Sequence, residues 1–550
     1  MVTAFLPALL SMLLHMSVAQ DPYFVYPEVF NDTERDAFYY GTFPEDFQWS
    51  TATSSYQIEG AWDADGKGVN IWDTFSHETG NIVNDDNGDV ACDSYNKYET
   101  DVSLISNMGV KYYRFSLSWS RLLPNGTIDN PSEAGLQYYN NLIDALLENG
   151  ITPQVTLYHW DLPQDIEDMG GFLFDGFPEL FNNYSKYCFE QFGDRVQFWI
   201  TFNEPWVITV LGYGEGRFAP GINGLEDERV YISAHNLLLA HALSYQTYNT
   251  SFRGTQEGVI GITLNCDHFE PYDPSNQTSV DAADRGFQFM LGWFASPIFK
   301  TGDYPEVMRE KVDFKSDAVG LNQSRLPSFT EEQKAMLSNS YDFFGLNHYT
   351  TVYVVDTGMV DVSEPVSYYK DRDIITWQDE SWPTSGSGWL RPVPWGLRNL
   401  LNKIKNEYGD DIPIYITENG ISTDDTDNLD DTTRVQYYQG YINEVLKAVR
   451  LDNVNVKCYT AWSLMDNFEW ASGYSERFGL HYVDFSDPAR PRTQKDSATE
   501  YARIVADNGF LEPKVSTENP ETTPDSADRP ASAAMLLVFS LCSILAIGFM

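Results

Sequence analysis

Apolar, β-branched and aromatic residues fall in short runs that stop abruptly at polar side chains. Val196-Gln197-Phe198-Trp199-Ile200-Thr201-Phe202 stops at Asn203 and Glu204, and Ile412-Pro413-Ile414-Tyr415-Ile416 stops at Thr417 and Glu418. Runs of this length and type read as buried strands. Eight strand candidates start near Phe47, Tyr112, Thr152, Gln197, Val259, Tyr341, Ile412 and Val456. Helical periodicity fills the intervals. Leu136, Tyr139, Leu142, Ile143, Leu146 and Leu147 form one apolar stripe, and Leu397, Leu400, Leu401 and Ile404 form another. Strand and helix alternate over roughly 43–510, which predicts βα units around a parallel sheet. Eight such units fit an α/β fold, a single (β/α)8 TIM barrel. A bare barrel needs about 250 residues, so large loop insertions are expected, here at 267–278, 313–339 and 356–395. A doubly wound open sheet is the alternative, weakened because no Gly-rich phosphate loop follows the first strand. No internal repeat is apparent. Tyr56 and Trp119 read as core.

The two ends differ from this pattern. An apolar stretch from Leu6 to Val18 ends in Ser17-Val18-Ala19-Gln20. Its length and small residues suit a secretory signal peptide over 1–19, although the usual Lys or Arg is missing from its start. The barrel domain is expected over 36–510. Residues 512–530 hold four prolines among Ser, Thr, Asp and Glu, a composition that cannot bury a core and reads as a disordered stalk. Residues 531–550 carry no charge. Small residues near Asp525-Ser526-Ala527, a short polar spacer and this apolar tail resemble a GPI-attachment signal. A single membrane-spanning helix is the competing reading, since about 20 apolar residues cross a bilayer.

Composition narrows the function. The formal charge is -45 with a sequence pI near 4.3, which argues against nucleic acid as a partner because such affinity comes from clustered Lys and Arg. Aromatic residues make up 15% of the chain; that suits a large core and also a sugar site, where pyranose faces pack on rings. Six Asn-X-Ser/Thr sequons, at Asn31, Asn125, Asn183, Asn249, Asn276 and Asn322, agree with secretion. Cys92, Cys188, Cys266, Cys458 and Cys542 are widely spaced. They form neither a zinc pattern nor a disulfide scaffold. Buried thiols are expected, with one long-range disulfide as the alternative.

Polar and aromatic side chains gather where the strands should end: Ser55-Tyr56-Gln57-Ile58-Glu59, Arg114, Tyr158-His159-Trp160-Asp161, Asn203-Glu204, Asn347-His348-Tyr349, Glu418, and Trp462-Ser463-Leu464-Met465-Asp466-Asn467-Phe468-Glu469-Trp470. Barrel enzymes place their chemistry at the carboxyl ends of strands. Two carboxylates on different strands suggest a two-carboxylate glycosidase. Each residue alone has a plainer reading. A Glu after a strand is usually a solvated loop residue, His159 alone would be a structural histidine, and Trp462 and Trp470 alone would be core.

Taken together, Thr201-Phe202-Asn203-Glu204-Pro205, Thr417-Glu418-Asn419-Gly420 and the Trp462–Trp470 segment resemble glycoside hydrolase family 1, most closely its animal lactase and lactase-like branch, over about 39–510. The resemblance implies a retaining β-glycosidase acting on terminal β-D-glucosides, and also on β-galactosides or β-fucosides. It makes Glu204 the general acid/base and Glu418 the nucleophile, which requires carboxyls about 5–5.5 Å apart. It sets Arg114 and Tyr349 beside the nucleophile. Gln57, His159, Asn203 and Glu469 become polar sugar contacts, Trp462 a stacking floor, Trp470 a neighbouring indole, and Trp389 a contact on the aglycone side. No metal or organic cofactor is implied. The partner is a small β-glycoside or oligosaccharide; the membrane is met only through the tail, and oligomeric state is not legible. The rival reading is a klotho-like cell-surface co-receptor without turnover, which would not need an acid and a nucleophile together. A thioglucosidase is a third reading; the plant enzymes of that kind replace the acid by Gln.

Overall fold

Eight parallel strands close on themselves in sequence order: β1 (Gln48–Ala52), β2 (Tyr112–Ser116), β3 (Thr152–Tyr158), β4 (Phe198–Asn203), β5 (Val259–Asn265), β6 (Phe344–Asn347), β7 (Ile414–Asn419) and β8 (Val456–Trp462). The ring is sealed where Cys458 to Trp462 of β8 pair with Gln48 to Ala52 of β1. This is the expected TIM barrel, and its closure excludes the open doubly wound sheet. The computed structural model describes residues 23–513 except 28, 29, 31, 364 and 425–428. The leader at 1–19, nearly all of the stalk at 512–530 and the tail at 531–550 lie outside the described residues, as do Asn31 and Cys542.

The strands begin where the apolar runs predict, with two informative offsets. β6 starts three residues after Tyr341. Asp342 instead caps the start of β5: its Oδ2 accepts from Ile260 N at 2.8 Å, and its own N donates to Ile260 O at 3.0 Å. β7 starts after Pro413, whose nitrogen has no proton for a ladder bond but whose carbonyl accepts from Phe344 N at 2.8 Å. Phe198, Ile200 and Phe343, with Val259 and Tyr415 packed on them, fill the barrel at the strands' amino ends. The Phe198 and Phe343 rings stack at 4.3 Å. This plug leaves the carboxyl ends as the face for a site.

Amphipathic helices cover the barrel, among them α1 (Glu133–Glu148), α2 (Phe177–Phe192), α3 (Arg229–Ser251), α4 (Pro394–Tyr408) and α5 (Thr432–Arg450). On α1 the buried stripe is Tyr139, Leu142, Ile143 and Leu146, while Leu147, expected in that stripe, is 40% exposed; one residue past Leu146 it has turned about 100° away from the sheet. On α4 all four predicted leucines and isoleucines are buried, and Trp119 is buried against Tyr184 with ring centroids 4.5 Å apart. All three insertions read as loops carry structure. His268–Pro271 and Ile374–Trp377 flank Thr351–Asp356 in a three-stranded side sheet, and the 313–339 segment includes the helix Glu331–Leu337. Cys92, Cys188, Cys266 and Cys458 are buried free thiols, so none of them forms the alternative disulfide.

Beneath the loops after β1 and β2, Arg121 Nε donates to Glu59 Oε2 at 2.8 Å. Tyr139 OH of α1 donates to the other oxygen at 2.6 Å, and the guanidinium lies 4.3 Å over the Tyr95 ring. Arg121→Ala leaves Glu59 charged and buried without its cation. A stability loss of about 3–5 kcal/mol is expected, read as a lower denaturant midpoint than Leu147→Ala, which should change little.

Candidate active site

Six of the eight strands deliver a functional side chain to one end of the barrel. Glu418, at the penultimate position of β7, is held at both oxygens. Arg114 of β2 donates from Nη1 to Oε1 at 2.6 Å, and Tyr349 donates its phenol to Oε2 at 2.7 Å. Arg114 is buried and further locked by Thr417 O at 3.0 Å and Thr156 Oγ1 at 3.1 Å. The guanidinium and the phenol thus set the plane of the Glu418 carboxyl. Burial and the charge of Glu418 push the Tyr349 phenol well above its ordinary value, which keeps it a donor.

Glu204 is placed by an unusual backbone. Its φ of 53° lies in the left-handed region, which costs a non-glycine residue on the order of 1 kcal/mol. The turn is fixed by Glu204 N donating to Thr263 O at 3.0 Å and by Val207 N donating to Glu204 O at 2.9 Å. Asn347 Nδ2, at the end of β6, donates to Glu204 Oε1 at 2.6 Å and to Asn203 Oδ1 at 3.1 Å. Asn203 Oδ1 also accepts from Arg114 Nη2 at 2.7 Å. One chain of hydrogen bonds therefore runs Glu418–Arg114–Asn203–Asn347–Glu204. Burial first, and then the negative Glu418, drive the Glu204 carboxyl well above the usual range, against the pull of Asn347 and Arg114. A carboxyl so shifted keeps its proton near neutrality.

Both carboxyls line a cavity of about 360 Å3, together with His159, Tyr349, Trp389, Trp462, Glu469 and Trp470. Trp462, His159 and Trp470 form a nearly parallel wall: the imidazole lies 5.8 Å from Trp462 at 20° and 5.9 Å from Trp470 at 17°. His159 Nε2 accepts from Asn203 Nδ2 at 3.0 Å, so its other nitrogen carries the proton. Burial and then the Arg114 charge hold the ring neutral. Glu469 is pushed well above its ordinary value by burial and by the neighbouring Glu476 and Glu418. Trp389 is 51% exposed at the mouth, edge-on to Tyr349 at 5.7 Å. Gln57, Asn203 and Arg114 are buried behind the cavity wall rather than in it. The Gln57 amide nitrogen is shared among Asn467 Oδ1 at 2.9 Å, Phe468 O at 3.0 Å and Glu469 Oε2 at 3.2 Å, so in this structure it orients Glu469. Tyr56, read as core, is buried and stacks on Trp470 at 6.2 Å.

Sequence reasoning placed Asn347 at a strand end without giving it a role, and it missed Glu476 and Asp267. Asn347 ends the β6 run, and an amide at that register was the available signal. Glu476 lines the cavity and accepts from Ser472 Oγ at 3.0 Å and from Ser387 Oγ, which ties the loop carrying Trp389 to the loop after β8. Asp267 lines the cavity from the first position of a stretch expected to be loop insertion. Among the described residues, no group of three or more His, Cys, Asp or Glu side chains is placed to hold a metal ion.

The arrangement has counterparts. A profile of glycosyl hydrolase family 1 matches residues 39–510. The chain is 53% identical over 478 residues to human lactase/phlorizin hydrolase, covering 87% of this chain and 25% of that protein. It is 47% identical over 469 residues to human cytosolic beta-glucosidase, covering 85% of this chain and 99% of the relative. A rice beta-glucosidase mutant solved in a covalent complex with Glc superposes with a TM-score of 0.80 at 38% identity, over 87% of this chain and 100% of that one.

Proposed function

The chain belongs to glycosyl hydrolase family 1, and from that premise we propose that it hydrolyses terminal β-D-glucosides with retention of configuration, Glu418 acting as nucleophile and Glu204 as acid and then base. The observation that carries this reading is the unequal treatment of two carboxyls in one cavity. Glu418 is held in place by a cation and a phenol, while Glu204 is buried in an environment that keeps its proton. In the first step a Glu418 oxygen bonds to the anomeric carbon as the glycosidic C–O bond breaks, and the Glu204 proton passes to the departing oxygen. In the second, ionised Glu204 takes a proton from water, whose oxygen displaces the Glu418 ester from the same face as the departed group. The covalent complex of the rice relative fits such an intermediate.

Trp462, His159 and Glu469 would bind the terminal sugar, with Gln57 orienting Glu469 and Asn203 orienting His159 from behind. The carboxyl of Glu469 can serve gluco and galacto hydroxyls alike. Purified protein assayed on 4-nitrophenyl glycosides should show its highest kcat/KM on the β-glucoside or β-fucoside. A preference for β-mannoside, or no turnover of any β-glycoside over a broad pH range, would overturn the reading. The klotho-like alternative gains no support from a cavity that keeps both carboxyls.

The hydrogen bond from Asn347 favours ionised Glu204, so its loss must raise the acid's pKa. Asn347→Ala is expected to move the basic limb of the kcat/KM profile to higher pH, measured against native protein. An unmoved limb would dissociate Asn347 from the acid.

The leader at 1–19 and the tail at 531–550 support a site that works outside the cell, on a lipid anchor or a membrane span. Among the described residues no helix is long and apolar enough to cross a membrane. The sequons at Asn183, Asn249, Asn276 and Asn322 are exposed, in keeping with a glycoprotein. Release from expressing cells by a phosphatidylinositol-specific phospholipase would select the lipid anchor.

A further inference from the structure

The side sheet inserted between β5 and β7 has two unlike faces. Phe269, Val354 and Ile374 are buried, with the Phe269 ring against Gly286 of the helix Gln277–Phe287. Side chains alternate along a strand, so the opposite face carries the residues between them. There Tyr353 pairs with Trp377 on one side and Glu270 on the other, and Val355 pairs with Ile375. Tyr272, one residue beyond the strand His268–Pro271, joins this face: its ring lies 5.2 Å from Trp377 and 5.9 Å from Tyr353. Tyr272 is 62% exposed, and Ile375 is exposed as well. On a chain of charge -45, a contiguous aromatic and aliphatic patch marks a surface that something covers.

Asn276, in the sequon Asn276-Gln277-Thr278, stands four residues beyond Tyr272. The connection is a tight turn. Asn276 N donates to Asp273 O at 3.0 Å, and Asp273 Oδ1 accepts from Ser275 N at 3.0 Å and Ser275 Oγ at 2.6 Å. Such a turn holds its two ends within about 7 Å. Tyr272 N is tied in turn to Val354 O at 3.0 Å. Asn276 is exposed and caps the helix, its Oδ1 accepting from Thr278 N at 3.0 Å. That bond uses the amide oxygen and fixes the amide plane. The nitrogen, where a sugar attaches, is not needed for the cap.

Extending the reading of this chain as a secreted glycoprotein, we propose that Asn276 carries an N-glycan whose first sugars lie on the Tyr272 and Trp377 rings and shield the outer face of the side sheet. The tether names the occupant. Pyranose C–H faces pack on aromatic rings, and a sugar attached beside the rings covers them without needing affinity of its own. The donor is a lipid-diphosphate-linked oligosaccharide, supplied by a transferase of the secretory pathway. Asn276 Nδ2 bonds to its anomeric carbon as the C–O bond to the diphosphate breaks. The diphosphate leaves with the electron pair, and Nδ2 gives one proton to a base of the transferase. Nδ2 keeps its other proton, and Oδ1 still caps the helix.

The test compares the full chain, made in animal cells, with Thr278→Ala, which removes the sequon and leaves the Asn276 cap in place. Glycopeptide mass spectrometry should find Asn276 occupied in native protein and bare in the variant. Hydroxyl-radical footprinting then reads individual side chains. A stacked sugar covers one of a ring's two faces, so Tyr272 and Trp377 should be oxidised about twofold faster in Thr278→Ala. Phe174, exposed in the β3–β4 connection, should not change. Tyr272→Ala removes one ring of the shelf, so the glycan should protect Trp377 less. Equal oxidation of both rings in native and Thr278→Ala protein, with Asn276 occupied in the first, would overturn the proposal. So would a bare Asn276 in native protein whose Asn183, Asn249 and Asn322 are occupied. If none of the four is occupied, the glycoprotein reading fails and this proposal with it. Protection that persists in Thr278→Ala and fades on dilution would give the face to a second copy of the chain and overturn the proposal.

Discussion

Glu418→Gly should lower kcat on aryl β-glucosides by about 10^5-fold, the scale expected when a covalent route is removed, and azide should restore part of the rate with an activated leaving group such as 2,4-dinitrophenyl. The structure gives the reason for the rescue. Truncation leaves the Arg114 guanidinium, normally 2.6 Å from the carboxylate, buried and without its anion. A small anion fits the vacated space and is drawn to that charge. Attack from there displaces the aglycone with inversion, so the product must be the α-glucosyl azide. Residual activity within tenfold of native, or a β-glucosyl azide, would remove Glu418 from the nucleophile's role. An unchanged melting profile separates a chemical loss from an unfolded variant.

The second large effect belongs to Glu204→Gln. With a poor leaving group such as phenol, kcat/KM should drop by about 10^3–10^4-fold, the range of general acid catalysis. With 2,4-dinitrophenolate, which departs without a proton, the first step should be nearly intact and a burst of phenolate should precede slow turnover, because the second step still lacks its base. Equal losses on both substrates would mean that Glu204 does not protonate the aglycone. Stability should change in the opposite direction. The folded value of Glu204 is raised above 4.5, its value in the unfolded chain. Between those values the folded state retains a proton that the unfolded state releases, so stability falls as pH rises from about 4.5 until Glu204 itself ionises. Gln removes that dependence. A gain on the order of 1–3 kcal/mol at neutral pH, absent below pH ~4, is expected from paired denaturation curves. A catalytic group that destabilises the fold at its working pH is the usual cost of a tuned acid.

Much of this was legible in the chain. All eight strands appear where the apolar runs stand, because a strand buried on both faces must be apolar throughout and the run's end is where polar side chains begin. That rule also put Glu204, Glu418, Arg114 and Asn203 at one end of a barrel. It could not see Asp267, since that residue sits after a strand in a segment whose polarity resembles a loop. Nor could it see that the Gln57 amide is spent on Asn467, Phe468 and Glu469, or that 268–271 and 374–377 form a side sheet, because short strands in polar surroundings carry little period-two signal.

Sequence by itself determined the barrel, the identity of the two carboxyls and their place at strand ends, since periodicity and residue type are local properties of the chain. The family motifs assigned the two roles, but only the tertiary structure supplies the physical reason that Glu204 keeps its proton. That reason lies in what neighbouring strands bring: Arg114 from β2 and Tyr349 from the loop after β6 fall on Glu418, while burial, the charge of Glu418 and the Asn347 amide act on Glu204. Electric fields act through space, and residues hundreds of positions apart become neighbours only when the ring closes.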